Sequence, residues 1–173
     1  LGGYEISLSF ERSMPFDSNL FKYSKDKNVS VEALAKIYAQ HSVATIRSQD
    51  EFRKFLMIPN TQLYTAWNLN GTLAAYAIEG KGADLSHYIH EWGGSVSAIK
   101  NLLGYISQIK NHPFHFIAPK HSVNLLNELK SHADYLNEGY LGMIRILNFE
   151  NISMKVKKAF RNIGVSDFVF EKN

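Results

Sequence analysis

Cysteine is absent from this sequence, which excludes disulfide cross-links and thiolate metal sites. Long apolar runs are absent as well. None reaches the ~18 residues that a membrane-spanning helix needs, so no membrane partner is expected. The opening LGGYEISLSF lacks the basic start and apolar block of a secretory leader. Neither sign of charge dominates: 19 basic side chains stand against 16 acidic ones, for a net charge of +3. That balance admits an anionic ligand. It supplies no basic stripe interleaved with aromatics, so nucleic acid is not an expected partner. The histidines do not make a metal centre either. His112 and His115 flank Pro113–Phe114, and His121 and His132 lie on or near one later helix. None has carboxylate partners at ligand spacing. Repeats and low-complexity stretches are missing too. What is present is 173 residues at 45% apolar composition, enough for one globular domain with a sizeable core and small appendages. A soluble, cytoplasmic protein is the expectation. The chain begins without methionine and opens on a strand, which predicts a fragment or a processed product of a longer protein.

Tyr4, Ile6, Leu8 and Phe10 alternate as one face of a strand, and ERSMPFDSN reads as a loop. Ser30 is placed to cap a helix through about His41, with Val31, Leu34, Ile37 and Tyr38 on one face. Ser48 to Glu51 form a capping-box pattern, opening a helix that carries Phe52, Phe55 and Leu56 and stops at Pro59. The strands QLYTAWNL and TLAAYAIE flank Asn70-Gly71, a hairpin signal. A third strand runs from Leu85 to Trp92. The helix after it aligns Val96, Ile99, Leu102, Leu103, Ile106 and Ile109. PFHFIAP reads as a short strand. Ser122 is placed to cap a helix with Val123, Leu126 and Leu129. YLGMIRILNF reads as a strand, a short helix starts near Ser153, and DFVFE closes the chain as a strand. This order predicts an α/β (mixed α+β) fold: a central mixed sheet with helices on both faces. The crossover after Trp92 should be right-handed and join parallel strands.

The chemically informative stretch is HYIHEWGGSVSAIKNLL, His87 to Leu103. Simple alternation puts His87, Ile89 and Glu91 on one face of the strand and Tyr88, His90 and Trp92 on the other. The helix that follows offers free N–H groups and a partial positive charge at its start. Glycine at Gly93 and Gly94 would let a phosphate approach the backbone. The same Gly-Gly-Ser serves equally as a sharp strand-to-helix bend with Ser95 as an ordinary cap. Lys100, one turn in, is the nearest cation. KVKKAFR is a basic amphipathic stretch that reads as a solvated face.

The element order over Val29 to Phe149, with EWGGSV at the junction, resembles the GNAT superfamily of N-acetyltransferases. The resemblance implies a GNAT-like sheet. It also implies acetyl-coenzyme A as co-substrate, held at Trp92, Gly93, Gly94, Ser95 and Val96, and a small amine or a protein amine as acceptor. It implies a base on the third strand of the meander, Glu91 first and His90 as the alternative; Glu79, which closes the preceding strand, is the next candidate. The usual Gln or Arg and Gly-x-Gly of the family are not present at the junction. The family's acidic tyrosine has no counterpart in NLLNELKSHADYLNEGYLG, where Tyr135 and Tyr140 come later; Tyr140 is the candidate. LGGYE resembles the last strand of a preceding GNAT unit. LGMIRILNFENISMKVKKAF resembles the exit from the second unit of enhanced intracellular survival-type acetyltransferases. This implies a tail of a preceding unit over 1–20, an acyltransferase domain over 21–150 and an extension over 151–173, with a homodimer or sister unit as partner. A catalytically silent module, serving packing, dimerisation or ligand sensing, is the competing expectation.

Overall fold

The computed structural model describes residues 4–140, 148–162 and 164–165. In chain order its elements are β1 (Tyr4–Phe10), β2 (Lys22–Ser24), α1 (Val31–Tyr38), α2 (Gln49–Leu56), β3 (Gln62–Trp67), β4 (Leu73–Lys81) and β5 (Asp84–Gly94). They continue as α3 (Val96–Ile109), β6 (Phe114–Pro119), α4 (Val123–Lys130), β7 (Tyr135–Tyr140) and α5 (Phe149–Asn162). One compact unit spans Gly3–Gly139. Helix α5 belongs to the other, Tyr140–Asn173 with Leu1–Gly2. Among the described residues no helix is long and apolar enough to cross a membrane.

The strands form one mixed sheet in the order β2-β3-β4-β5-β6-β1-β7. Strands β2 to β5 pair antiparallel. β5 and β6, joined through α3, pair parallel, and β1 closes antiparallel on β6, from Glu5 opposite Pro119 to Phe10 opposite Phe114. Alternation along β3 and β4 sends side chains to two cores. Tyr64, Ala75 and Ala77 face α3 and α4 and pack with Leu8, Phe10, Ile99, Leu102, Phe114 and Phe116. Leu63, Tyr76 and Ile78 face α1 and α2 and pack with Leu34, Ile37, Phe52 and Leu56. Helices therefore cover both faces of a mixed sheet, as the element order predicts.

Local signals translate directly, except that Ser122 makes no side-chain cap bond at the start of α4. Ser30, Ser48 and Ser95 each cap their helix through the side-chain oxygen, and Glu51 completes the capping box at Ser48. Gly71 takes φ +84° in the hairpin. Other readings need correction. Ile109, counted on the α3 stripe, is 45% exposed, because the helix ends there and its last turn overhangs the core. β2 arises where the sequence carries no alternating pattern. It is a three-residue edge that pairs with β3 from Lys22 opposite Trp67. Among the described residues the last sheet strand is β7, which precedes YLGMIRILNF and shares only Tyr140 with it. Asp134 holds its start, with its N–H donating to Ser9 O at 2.9 Å and its carboxylate accepting from Glu11 N and pairing with Arg12. α5 begins at Phe149 rather than near Ser153, because Asn148 Oδ1 accepts from Asn151 N at 2.9 Å and starts the helix earlier. Residues 141–147 of YLGMIRILNF, and DFVFE, lie outside the described residues.

Candidate functional site

β5 stays paired with β4 through Gly94 but departs from β6. β5 and β6 are in register at only two positions, Tyr88 opposite His115 and Ile89 opposite Phe116. Beyond these β5 continues to Gly94 and feeds α3 through the Ser95 cap. Where neighbouring parallel strands part, a cleft opens between their carboxyl ends.

A bulge sits at the point of departure. On β4, Ile78 stands opposite Glu91 while Glu79 stands opposite Ile89, which leaves His90 as the extra residue. An inserted residue reverses the alternation downstream. Ile89 therefore points into the α3-side core, and Glu91 emerges on the α1–α2 side. The simple two-residue period put them on the same face; the bulge overturns it.

On that side Glu91 meets Arg47. Nη1 donates to Oε1 at 2.8 Å and Nη2 to Oε2 at 2.9 Å, with the two side chains only 15% and 13% exposed. Tyr76 Oη lies 3.5 Å from Oε1. Burial lowers the Arg47 pKa, but the hydrogen bonds and charge of Glu91 outweigh it and the net shift is upward. Burial first, and Glu91 second, push the Tyr76 phenol far above its ordinary range. His90 Nε2 lies 3.0 Å from the Gly80 carbonyl. A carbonyl only accepts, so Nε2 carries the proton and Nδ1 the basic lone pair. Burial lowers the His90 pKa, ahead of the opposing Gly80 bond. Glu79, the third acid considered, is buried with Tyr64 Oη at 2.8 Å and Lys110 Nζ at 2.6 Å.

Trp92 fills the space between the parting strands. Its indole N–H donates to Ile117 O on β6 at 3.0 Å. Its ring centroid lies 5.4 Å from that of Phe116 and 5.1 Å from that of His41, and His41 Nε2 reaches back to Trp92 O at 2.7 Å. The glycines are the last two residues of β5 rather than a turn. A Cβ on Gly93 would lie 2.7 Å from Ile37 Cγ2 and from Tyr76 Cε1, and Gly94 holds φ +130° against Ala74 and Ala75. Both serve close packing against protein. At the start of α3 the Ser95 hydroxyl accepts from Ala98 N at 3.2 Å. The Val96 and Ser97 N–H groups have no partner within the helix. Val96 and Ser97 border an open cleft of about 820 Å³ whose walls include Phe16, Asp17, Lys100 and Glu128. Lys100 donates to Glu128 at 3.0 Å, so the single cation of this lining faces two acids. Tyr135 is exposed at the start of β7, and Tyr140 ends that strand in the second unit.

Arg47 and His41 escaped the sequence reading. They lie in HSVATIR, between two helices, where no periodicity marks them. The local signal was an arginine directly before a capping box and followed by two phenylalanines.

Among solved structures, a conserved protein of Enterococcus faecalis described as a probable N-acyltransferase superposes with a TM-score of 0.60 at 16% identity, over 80% of this chain and 38% of that one. The fold is GNAT-like. A conserved protein of unknown function from Staphylococcus epidermidis superposes at 0.55 with 11% identity, over 82% of this chain and 59% of the other. The chain thus spans less than two thirds of each neighbour's length. No family model and no curated protein matches the sequence.

The lowered pKa of His90 carries a pH dependence. Its ordinary value is 6.5. The unfolded chain takes up this proton before the folded chain does, so the stability from neutral His90 is full above about 6.5 and is lost as pH falls below it. His115, also lowered by burial and then by His87, acts in the same direction. The urea midpoint is expected to fall between about pH 7.5 and pH 5.5, with a shallower slope in His90→Gln, as measured by tryptophan fluorescence.

Proposed function

We propose that the chain is the acyltransferase-fold unit of an acyl-coenzyme A-dependent N-acyltransferase. The observation that carries this reading is the parting of β5 from β6 directly before a helix start with two free amides. The likeness to the Enterococcus faecalis probable N-acyltransferase supports it. In this reading the Val96 and Ser97 amides hold the diphosphate of the carrier, and the thioester arm lies along β5. A primary amine attacks the thioester carbonyl. The N–C bond forms as the amine proton passes to a base, the C–S bond breaks, and the carrier leaves as a thiolate that takes up a proton from the protonated base or from water. His90 is the available base on β5, neutral at pH 7 with Nδ1 unprotonated; Glu91 serves only when Arg47 releases it. Among the described residues no cluster of side chains could hold a metal ion, and this reading asks for none.

A second reading is favoured by Trp92. Its indole occupies the gap where the thioester arm would lie, and the one cation in the cleft lining is paired. A unit built in this way packs against a sister unit and transfers nothing. Thermal melts with about 1 mM acetyl-coenzyme A separate the two, because a ligand specific to the folded state must raise the midpoint. The transferase reading expects a rise in the wild type. A rise in Trp92→Ala alone, or in neither protein, selects the silent module.

A further inference from the structure

The guanidinium of Arg47 sits in a box. Its central carbon lies 4.9 Å from the ring centroid of Tyr38, 4.6 Å from that of Phe52 and 4.7 Å from that of Phe55. The floor is the Glu91 carboxylate, which takes both terminal nitrogens, with the Tyr76 hydroxyl beside it. Each wall belongs to a regular element: the end of α1, α2, β4 and β5. The occupant does not. Arg47 rides on residues 41–47, which form neither helix nor strand. The apolar side chains of that segment do not hold it down, since Val43 is 74% exposed and Ile46 99% exposed. Its moorings are Arg47 itself, the Thr45 N–H bond to Tyr38 Oη at 3.1 Å, the His41 N–H bond to Tyr38 O at 3.1 Å, and His41 Nε2 on Trp92 O.

We propose that this box is a recognition site for a guanidinium-bearing ligand, and that Arg47 is its resident, displaceable competitor. Three aromatic faces attract any cation that fits between them. A carboxylate open to two parallel N–H donors selects a planar guanidinium over an ammonium. Neither property depends on which chain carries the cation. The tether gives Arg47 a millimolar-range effective concentration, so the box stays filled until a ligand of the same chemistry outcompetes it. Displacement would pass the Glu91 carboxylate, one residue from Trp92, from Arg47 to the ligand and loosen the segment whose His41 braces Trp92. The site binds cations whether or not the chain transfers acyl groups.

The test uses methylguanidinium as the probe and N-methylurea, equally planar and neutral, as the control. Calorimetry and thermal melts are run on wild type, Arg47→Ala, Arg47→Lys and Arg47→Ala/Glu91→Gln. Arg47→Ala is expected to melt lower than wild type and to regain midpoint saturably with millimolar methylguanidinium, with no response to N-methylurea. Wild type is expected to bind the probe a few-fold more weakly, reflecting a tethered competitor whose effective concentration is of the same millimolar order as the probe's affinity. The added Glu91→Gln is expected to abolish binding. Equal responses to probe and control in Arg47→Ala overturn the site, and a wild type that fails to bind at a hundredfold higher concentration overturns displacement. If Arg47→Ala does not fold, Arg47→Lys, which keeps a charge but not the two-pronged fit, decides. Saturable stabilisation by methylguanidinium supports the site, and none overturns it.

Discussion

Glu91→Leu is expected to destabilise the protein by about 3–5 kcal/mol, because it strands a guanidinium among three aromatic rings with no counter-charge. The loss is mainly the penalty of an unpaired enclosed cation rather than the worth of the pair. The companion result discriminates: Arg47→Leu combined with Glu91→Leu should lie within about 1–2 kcal/mol of wild type, since apolar side chains of similar size can fill a box walled by Tyr38, Phe52 and Phe55. The two substitutions should thus be strongly non-additive. Urea unfolding of both singles and the double measures it, and additive losses would show that the pair is worth no more than an exposed ion pair.

Gly94→Ala is expected to be nearly as damaging, at about 3 kcal/mol or more. Two effects combine. The φ of +130° is one that a residue with a Cβ rarely adopts, a strain of about 1–3 kcal/mol. The new methyl would also lie 2.5 Å from Ala74 O and 2.8 Å from Ala75 Cα, and backbone cannot rotate away, which adds about 1–3 kcal/mol of overpacking. Gly71→Ala is the control. It also has positive φ, at +84°, but nothing lies within 4 Å of its Cβ, so about 1 kcal/mol is expected. Chemical denaturation of both variants checks the difference. Equal losses at the two positions would mean that packing at the end of β5 contributes little.

The features that were legible in the sequence are those a short window contains. Ser48 and Glu51 lie three residues apart and satisfy each other's backbone, so the start of α2 is written in four letters. Asn70-Gly71 specifies a turn by backbone conformation alone. The stripe of α3 follows from the helical period, and it failed only at Ile109, where the period continues but the core does not. The order of these elements was enough to predict a mixed sheet covered on both sides.

The features that bear on function are of another kind. The bulge at His90 exists because β5 must satisfy β4 and β6 at once, and one extra residue changed which face carries Glu91. Arg47 and Glu91 are 44 residues apart, and Trp92 meets Ile117 across a 25-residue separation. β1 takes its place beside β6, against residues more than a hundred positions later. The sequence by itself determined the caps, the turns, the helix stripes and the class of the fold, because those depend on backbone conformation and side-chain period within a few residues. Only the tertiary structure decided what fills the space between the parted strands and which charge Glu91 faces. Those outcomes depend on burial and pairing between distant segments, where the partner that excludes water best prevails, and no local pattern records which partner that is.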